Sequence, residues 1–528
     1  MLRRNVLSAV NDKQPRPGFV STADRPSNYV RNAAANWIAF LFVAGVSFFL
    51  SPFIVHHLGD TAYGVWTLLA ALVGYLGLLD FGVRGAVTRY VAHHHAASDG
   101  ESCSSIVSAG LAMYGLLGSL AIVIAGVVAY LAPLLFNIPE AYVDDTRLVL
   151  IVGGMTMAVT LLGAVFGGVI AGLQRFDISS GIEIAVTTIR TMAIVIALSQ
   201  GYGLVSLAVI HLAGSVLNGL TAWAIARRLY PALRICFRVP LRAHMQTILS
   251  FSVLLSAIHI FGVLIYYADV LVISVFLPVS LVTFYAIAGN LSDYARQVAL
   301  SLSTLMTPRV SALASTGSKA VGGEILGVAK AATLVTAPIA AIFLIRGESF
   351  INLWMGPEYG PASGEVLRIL AFVTLLSGAR SIAVASIIGV NKHRALIPAL
   401  AAEAVCNLVL SILLVRPLGL VGVALGTLIP SLIVSLGYLP FCLARSTNAR
   451  AGLFYRDGWL LPMLACVPFA LLNALLEKYL PAGNLATFFL QILLTLPLVA
   501  AGAAVLCLAP AEKMQIGTAL RKLIAVAT

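Results

Sequence analysis

From about Asn32 almost to its end the chain repeats one pattern, stretches of roughly 20 mostly apolar residues separated by short polar connectors. Such a stretch is long enough to cross the hydrocarbon of a bilayer, where no water is present to satisfy backbone amides, so only helices and closed barrels can span. These runs are too long and too continuous for tilted strands. With 60% of 528 residues hydrophobic and 10% charged, against roughly a quarter charged in soluble domains, the chain is predicted to be an all-α polytopic membrane protein. Apolar runs place helices near 33–55, 63–91, 105–132, 147–172, 179–200 and 203–230, then 247–274, 281–308, 325–345, 363–390, 395–415 and 419–443, and finally 458–478 and 485–508. That is about fourteen.

Lysine and arginine test the count, because short translocated loops are depleted of them. If the amino terminus is cytosolic, the cytosolic connectors hold Arg84 and Arg89, Arg175, the group Arg227, Arg228, Arg234, Arg238 and Arg242, and then Arg309, Lys319 and Lys330. Lys392, Arg394, Arg445, Arg450 and Arg456 fall on the same side, and the outer connectors hold Arg147, Arg346, Arg416 and Lys478. One miscounted helix would invert everything downstream, so an even count with both termini in the cytosol is expected. The formal charge of +12 is then mostly topological and does not call for nucleic acid. Residues 1–31 are polar, contain Pro15, Pro17 and Pro26, and lack the apolar core of a cleaved signal peptide; they read as a mobile cytosolic tail.

An internal repeat divides the spans. Phe136-Asn137-Ile138-Pro139-Glu140-Ala141-Tyr142 is echoed by Trp354-Met355-Gly356-Pro357-Glu358-Tyr359, Gly172-Leu173-Gln174-Arg175 by Gly389-Val390-Asn391-Lys392, and Gly203-Leu204-Val205 by Gly419-Leu420-Val421. The three matches share an offset of about 217 residues and fall at equivalent helix ends. Each repeat holds an even number of spans, so the halves run parallel, related by an axis along the membrane normal. The predicted organisation is a tail (1–31), a first six-helix lobe (32–230), a basic connector (231–246), a second lobe (247–444), a helix pair (458–508) and a cytosolic tail (509–528). Two such lobes leave a cleft that rocking opens alternately to either side.

Leu58-Gly59-Asp60-Thr61-Ala62-Tyr63-Gly64-Val65-Trp66 and Leu78-Leu79-Asp80-Phe81-Gly82-Val83-Arg84-Gly85-Ala86 resemble the first hairpin of bacterial polysaccharide-repeat flippases of the polysaccharide transport family. Ala268-Asp269-Val270-Leu271-Val272-Ile273 and Phe284-Tyr285-Ala286-Ile287-Ala288 are similar to that family's second lobe. The resemblance covers most of residues 30–510. It implies transfer of undecaprenyl-diphosphate-linked oligosaccharide repeats to the outer face of the bacterial inner membrane, for O-antigen, lipopolysaccharide or exopolysaccharide. The implied partners are the lipid-linked oligosaccharide, membrane lipids and other polysaccharide assembly proteins.

Charges at bilayer depth cost about 2.5–3.5 kcal/mol on insertion scales and therefore mark cavities or ion pairs. Arg190 and Arg380 lie deep in their helices, and Arg296 and Arg368 are further candidates for cations that meet a diphosphate, whose oxygens a guanidinium matches bidentately. The competing reading is internal pairing, above all for Arg296 with Asp293 three residues away. Asp293 and Glu403 are the candidates for a coupling ion, and Asp80 with Arg84, at i and i+4, for an ion pair that gates the cytosolic end. The six scattered cysteines and His93-His94-His95 lack metal-ligand or disulfide spacing, and no cofactor is predicted. An enzyme is disfavoured, since the outer connectors near 133–146 and 346–362 are short and hold no nucleophile–base pattern. The rival functions are a peptidoglycan-precursor flippase and a multidrug or small-solute antiporter of the same fold.

Overall fold

The computed structural model describes residues 26–235, 241–304, 306–315, 321–447 and 449–507. Most of the expected amino-terminal tail, residues 236–240 of the basic connector and the carboxy-terminal tail lie outside the described residues. Helices account for the regular structure among these: α1 (Pro26–Leu76), α2 (Val83–Ala96), α3 (Gly100–Leu135), α4 (Val143–Gly172), α5 (Phe176–Ser199), α6 (Leu204–Leu229), α7 (Leu241–Phe276), α8 (Ser280–Thr304), α9 (Met306–Ser315), α10 (Val321–Trp354), α11 (Gly360–Gly389) and α12 (Leu396–Leu432). After α13 (Leu439–Ser446) and the single turn α14 (Ala451–Leu453) come α15 (Leu461–Ala465) and α16 (Val467–Tyr479), then α17 (Leu485–Thr495) and α18 (Pro497–Leu506).

Eleven stretches among the described residues are long and apolar enough to cross a membrane, two of them, Ala35–Ala96 and His393–Ser446, with 62 and 54 residues. At about 1.5 Å per residue either is far longer than the ~30 Å hydrocarbon layer. Glycine breaks both. In α1, Gly59 has φ 76° and ψ 167°; in α12, Gly419 has φ 57° and ψ −134°, regions that a side chain disfavours. The arms of α12 fold back as an antiparallel hairpin, with Asn407 Nδ2 donating to Thr427 Oγ1 at 2.9 Å and Ser411 Oγ to the Val423 carbonyl at 3.5 Å.

Within the first half α3 packs along α4, α4 along α6 and α2, and α1 along α5; within the second, α10 lies along α11, α11 along α8, and α12 along α7. Contacts between the halves run mainly from α1 to α7 and α8. At the end of the bundle that carries Gly59 and Gly419, here the hinge end, one apolar core spans both halves and includes Val55, Val65, Ile273, Val282, Ile351 and Trp354. Toward the opposite end the core splits: Val87, Ile106 and Val165 belong to a cluster of the first half, Ile325, Ile382 and Leu443 to one of the second. The molecule is joined at the hinge end and divided at the other.

The repeat explains the joint. Asn137, in the first-half motif, reaches into the second half, its backbone N–H bonding the Ser274 carbonyl at 3.0 Å and its Nδ2 the Val275 and Leu277 carbonyls at 3.0 and 3.3 Å. The second-half motif answers: Trp354 Nε1 donates to the Phe48 carbonyl at 3.0 Å, and the Tyr359 hydroxyl to Asp60 Oδ1 at 2.6 Å. Thr283 adds a 2.6 Å bond to the Asp60 carbonyl. Gly64 lets α1 press on the Val279 carbonyl, which a Cβ would overlap.

The final helix pair is fixed by a residue whose sequence position is misleading. Arg346, expected in an outer connector, lies inside α10, because that helix continues to Trp354, and it is 1% exposed. Its Nε bonds Glu477 at 2.7 Å, Nη2 bonds Gln491 at 2.7 Å and Nη1 bonds Asn473 at 3.4 Å, while the guanidinium lies over the Phe488 ring at 4.6 Å. Ser349 donates to the second Glu477 oxygen. One buried arginine ties α16 and α17 to the second half.

Candidate functional site

Arg190 stands in the middle of α5, half-buried, with its stem against Gly214 of α6, 3.6 Å from where a Cβ would sit. Its polar contact is Thr187 Oγ1 at 3.4 Å, and no carboxylate lies within 4 Å among the described residues. Glu183, on the same face, is exposed nearly two turns away. His211 of α6 faces the Trp66 ring at 5.4 Å beside it. The next residue on α5, Thr191, borders an apolar groove of about 530 Å³ against α1, lined by Leu41, Gly45, Phe49, Phe53 and Val195. Arg190 is therefore a mid-helix cation with no carboxylate partner among the described residues, one position from a residue that borders an apolar groove.

The other three expected cations are all paired. Arg380 Nη2 bonds Glu403 at 2.7 Å, and its Nη1 bonds Ser435 and Ser431 at 3.0 and 3.3 Å. Glu403 is 4% exposed. Sequence spacing hid this pair because α12 brings Glu403 alongside α11 from 23 residues away. Arg368 bonds Glu348 at 2.8 Å near the hinge end. Arg296 and Asp293 form the expected i,i+3 pair, at 2.5–2.9 Å, with Gln297 on the second carboxylate oxygen at 2.8 Å. Glu403 and Asp293, each already neutralised by an arginine, are poorly placed as sites of ion exchange.

The proposed gate pair Asp80 and Arg84 does not form. Their spacing implies one helical face only if the helix is continuous, yet Gly77–Asp80 is a 3₁₀ turn followed by Phe81 at φ 43° and Gly82 at φ 70°. The Tyr114 hydroxyl takes both ends of that turn, donating to Asp80 Oδ1 and accepting from the Arg84 backbone N–H at 2.9 Å. Arg84 instead extends its guanidinium toward Gly167.

A further buried carboxylate, to which the sequence assigns no role, lies on α7. Asp269 of α7 is 6% exposed, and its Oδ2 accepts from the Tyr285 hydroxyl of α8 at 2.5 Å and from Thr427 Oγ1 of α12 at 2.7 Å. Its Oδ1 has no partner, nor does Oδ1 of Asn407, which is 1% exposed. No basic side chain lies within 4 Å of Asp269 among the described residues. A buried carboxylate without a cation is costly, and one among oxygen-bearing side chains of α8 and α12 is suited to take up a proton or a small cation.

A family model for "Polysaccharide biosynthesis protein" matches residues 29–314, more than half of the chain. The chain belongs to the polysaccharide biosynthesis protein family. It is 24% identical over 452 residues to an uncharacterized membrane protein, EpsK, of Bacillus subtilis, covering 83% of this chain and 87% of that protein. It is 24% identical over 411 residues to a probable low-salt glycan biosynthesis flippase of Haloferax volcanii, covering 75% and 80% of the two chains. Among solved structures it resembles the lipid II flippase MurJ in an inward closed conformation, with a TM-score of 0.71 at 14% identity over 90% of this chain and 98% of that one. A multidrug resistance MATE family transporter in an inward-facing conformation follows, with a TM-score of 0.64 at 14% identity over 79% and 98%. Identities this low show a shared polytopic fold.

The features to be explained are Arg190, without a carboxylate partner among the described residues, the buried Asp269 with one unpartnered oxygen, and the closed hinge end. Arg190 was readable from depth alone. Asp269 stood in a recognised motif, but three residues from its helix neighbours it has no partner that spacing could reveal; Tyr285, Asn407 and Thr427 arrive from other helices.

Proposed function

We propose that this protein flips undecaprenyl-diphosphate-linked oligosaccharide repeats from the cytosolic to the outer face of a bacterial inner membrane. The observation that carries the reading is Arg190: a guanidinium with no counter-ion among the described residues, half-way along an apolar helix and next in sequence to a residue that borders an apolar groove. A diphosphate supplies the missing negative charge and matches the guanidinium fork, while the polyprenyl tail follows the α1–α5 groove and remains in hydrocarbon. Arg296, paired with Asp293, keeps a 45% exposed side chain and is a second polar group proposed for the cleft. Dividing the long stretches at Gly59 and Gly419, and adding the more polar α8, turns the eleven apolar stretches into fourteen passes with two lobes at 32–230 and 247–444. Lysine and arginine asymmetry supports cytosolic termini; in that orientation the closed hinge end faces outward and the divided end opens to the cytosol, where the cargo is made.

Asp269 is the proposed coupling residue. It joins α7, α8 and α12, and α7 and α8 are the helices that meet α1 across the cleft. Neutralising it with a proton or a monovalent cation changes the packing of those helices, and so biases the hinge-end clasp. In proteoliposomes, a sodium or proton gradient accelerates transfer of the lipid-linked repeat by the native protein. Asp269→Asn preserves size and hydrogen bonding but removes the charge, and brings that rate down to the rate without a gradient. Full gradient response in the variant would assign Asp269 to structure, and absence of any transfer by the native protein would defeat the flippase reading.

A further inference from the structure

A second feature lies between the lobes, deeper than the hinge-end clasp. Tyr75 on α1, Tyr266 and Tyr267 on α7, and Arg296 on α8 lie roughly 15–24 Å below the hinge end, counting 1.5 Å per residue from Asp60, Phe276 and Ser280. Tyr267 is pressed onto the bare backbone of Gly74, where a Cβ would overlap its ring, and its ring meets Tyr75 at 5.5 Å. Tyr266 stands edge-on to Tyr267, with centroids 4.7 Å apart and planes at 80°. Tyr266 is thus supported from behind, yet 44% exposed. The Arg296 guanidinium sits 5.2 Å from its ring centroid, anchored by Asp293 and with 45% of its side chain exposed.

A guanidinium exposed at this depth faces water or a bound polar group, because lipid offers it nothing. Tyr267, next in sequence, packs on Gly74 of α1, so we assign the exposed sides of Tyr266 and Arg296 to the space between the lobes. An arginine held over a partly exposed ring that a second tyrosine backs presents apolar ring surface beside a fan of hydrogen-bond donors. The charge of Arg296 is already balanced by Asp293, so the pair does not select an anion. It matches a neutral ring that is apolar on one side and rich in hydroxyls around its edge.

We infer that Tyr266, backed by Tyr267 and Tyr75 and flanked by Arg296, is a stacking site for a sugar ring of the cargo. The inference rests on the flippase reading and refines it. Arg190 on the first lobe takes the diphosphate, and Tyr266 on the second takes carbohydrate, so that both lobes hold one molecule and rocking moves it as a unit. Recognition by an aromatic face is tolerant of sugar identity, whereas the hydroxyls that meet Arg296 set orientation. Tyr266 is a specificity-determining residue for glycosylated over bare lipid.

The test uses the full chain in proteoliposomes with two probes, bare undecaprenyl diphosphate and the same lipid carrying its repeat oligosaccharide. Tyr266→Ala is expected to slow transfer of the glycosylated probe by about tenfold, roughly 1.4 kcal/mol, and to leave the bare lipid within about twofold. Tyr266→Phe, which keeps the ring, is expected to retain most of the native rate with both. Equal loss with both probes in Tyr266→Ala, or no loss with either, overturns the stacking site while the flippase reading stands. If the native protein moves neither probe, the flippase reading falls and this inference with it.

Discussion

Arg346→Met is expected to unseat the last two helices. Arg346 is completely enclosed and bonds Glu477, Gln491 and Asn473 at once, so its removal leaves a largely buried carboxylate and two amides facing one another without their cation. Breaking one side of a buried ion pair costs about 3–5 kcal/mol, much of it the desolvation of the surviving charge. The expected result is a marked drop in melting temperature in detergent, with new protease cleavage in the 480–484 connector. Combining Arg346→Met with Glu477→Leu removes the stranded charge and is expected to recover a substantial part of the loss, as replacement of whole buried pairs by apolar groups does elsewhere. A single variant as stable as the native chain would show that the network contributes nothing net.

The two deep arginines that look alike in sequence are expected to behave oppositely. Arg190→Ala removes a cation that no carboxylate among the described residues neutralises, so stability is little changed while transfer falls. A hydrogen bond to a charged group is worth about 1.5–3 kcal/mol, or about ten- to a hundredfold. Arg190→Lys keeps charge but loses the fork and restores the rate only partly. Arg380→Ala strands Glu403, which is almost fully enclosed, and is expected to lower the yield of folded protein; Arg380→Ala with Glu403→Gln recovers it. Native transfer rates in Arg190→Ala at normal protein level would return Arg190 to a structural role.

What could be read from the chain and what could not follow the same physical division. Periodicity and composition reveal any property that belongs to one helix: its length, its depth, its charges. They placed Arg190 at mid-span and found the i,i+3 pair of Arg296 and Asp293. The repeat motifs, recognised as equivalent helix ends, proved to carry the reciprocal bonds of Asn137 and Tyr359. Pairings between helices leave no spacing to read, which is why Arg380 seemed free and Asp269 silent. Continuity misled twice: the Phe81 and Gly82 break undid the Asp80 and Arg84 face, and α10 ran past its expected end to bury Arg346. Phe81 is the harder of the two, because positive φ is uncommon at a bulky residue.

The central claim is that the cargo's polar head cannot cross about 30 Å of hydrocarbon on its own, since its charges and hydroxyls would lose water without replacement. The most direct measurement is binding of an external lectin to lipid-linked sugar on spheroplasts from a strain lacking this gene, compared with the same strain carrying it. The account predicts that repeats accumulate fully assembled but hidden from the lectin in the deletion strain, and become accessible when the gene is restored. Equal lectin access in both strains, with no second flippase gene to supply it, would contradict the account.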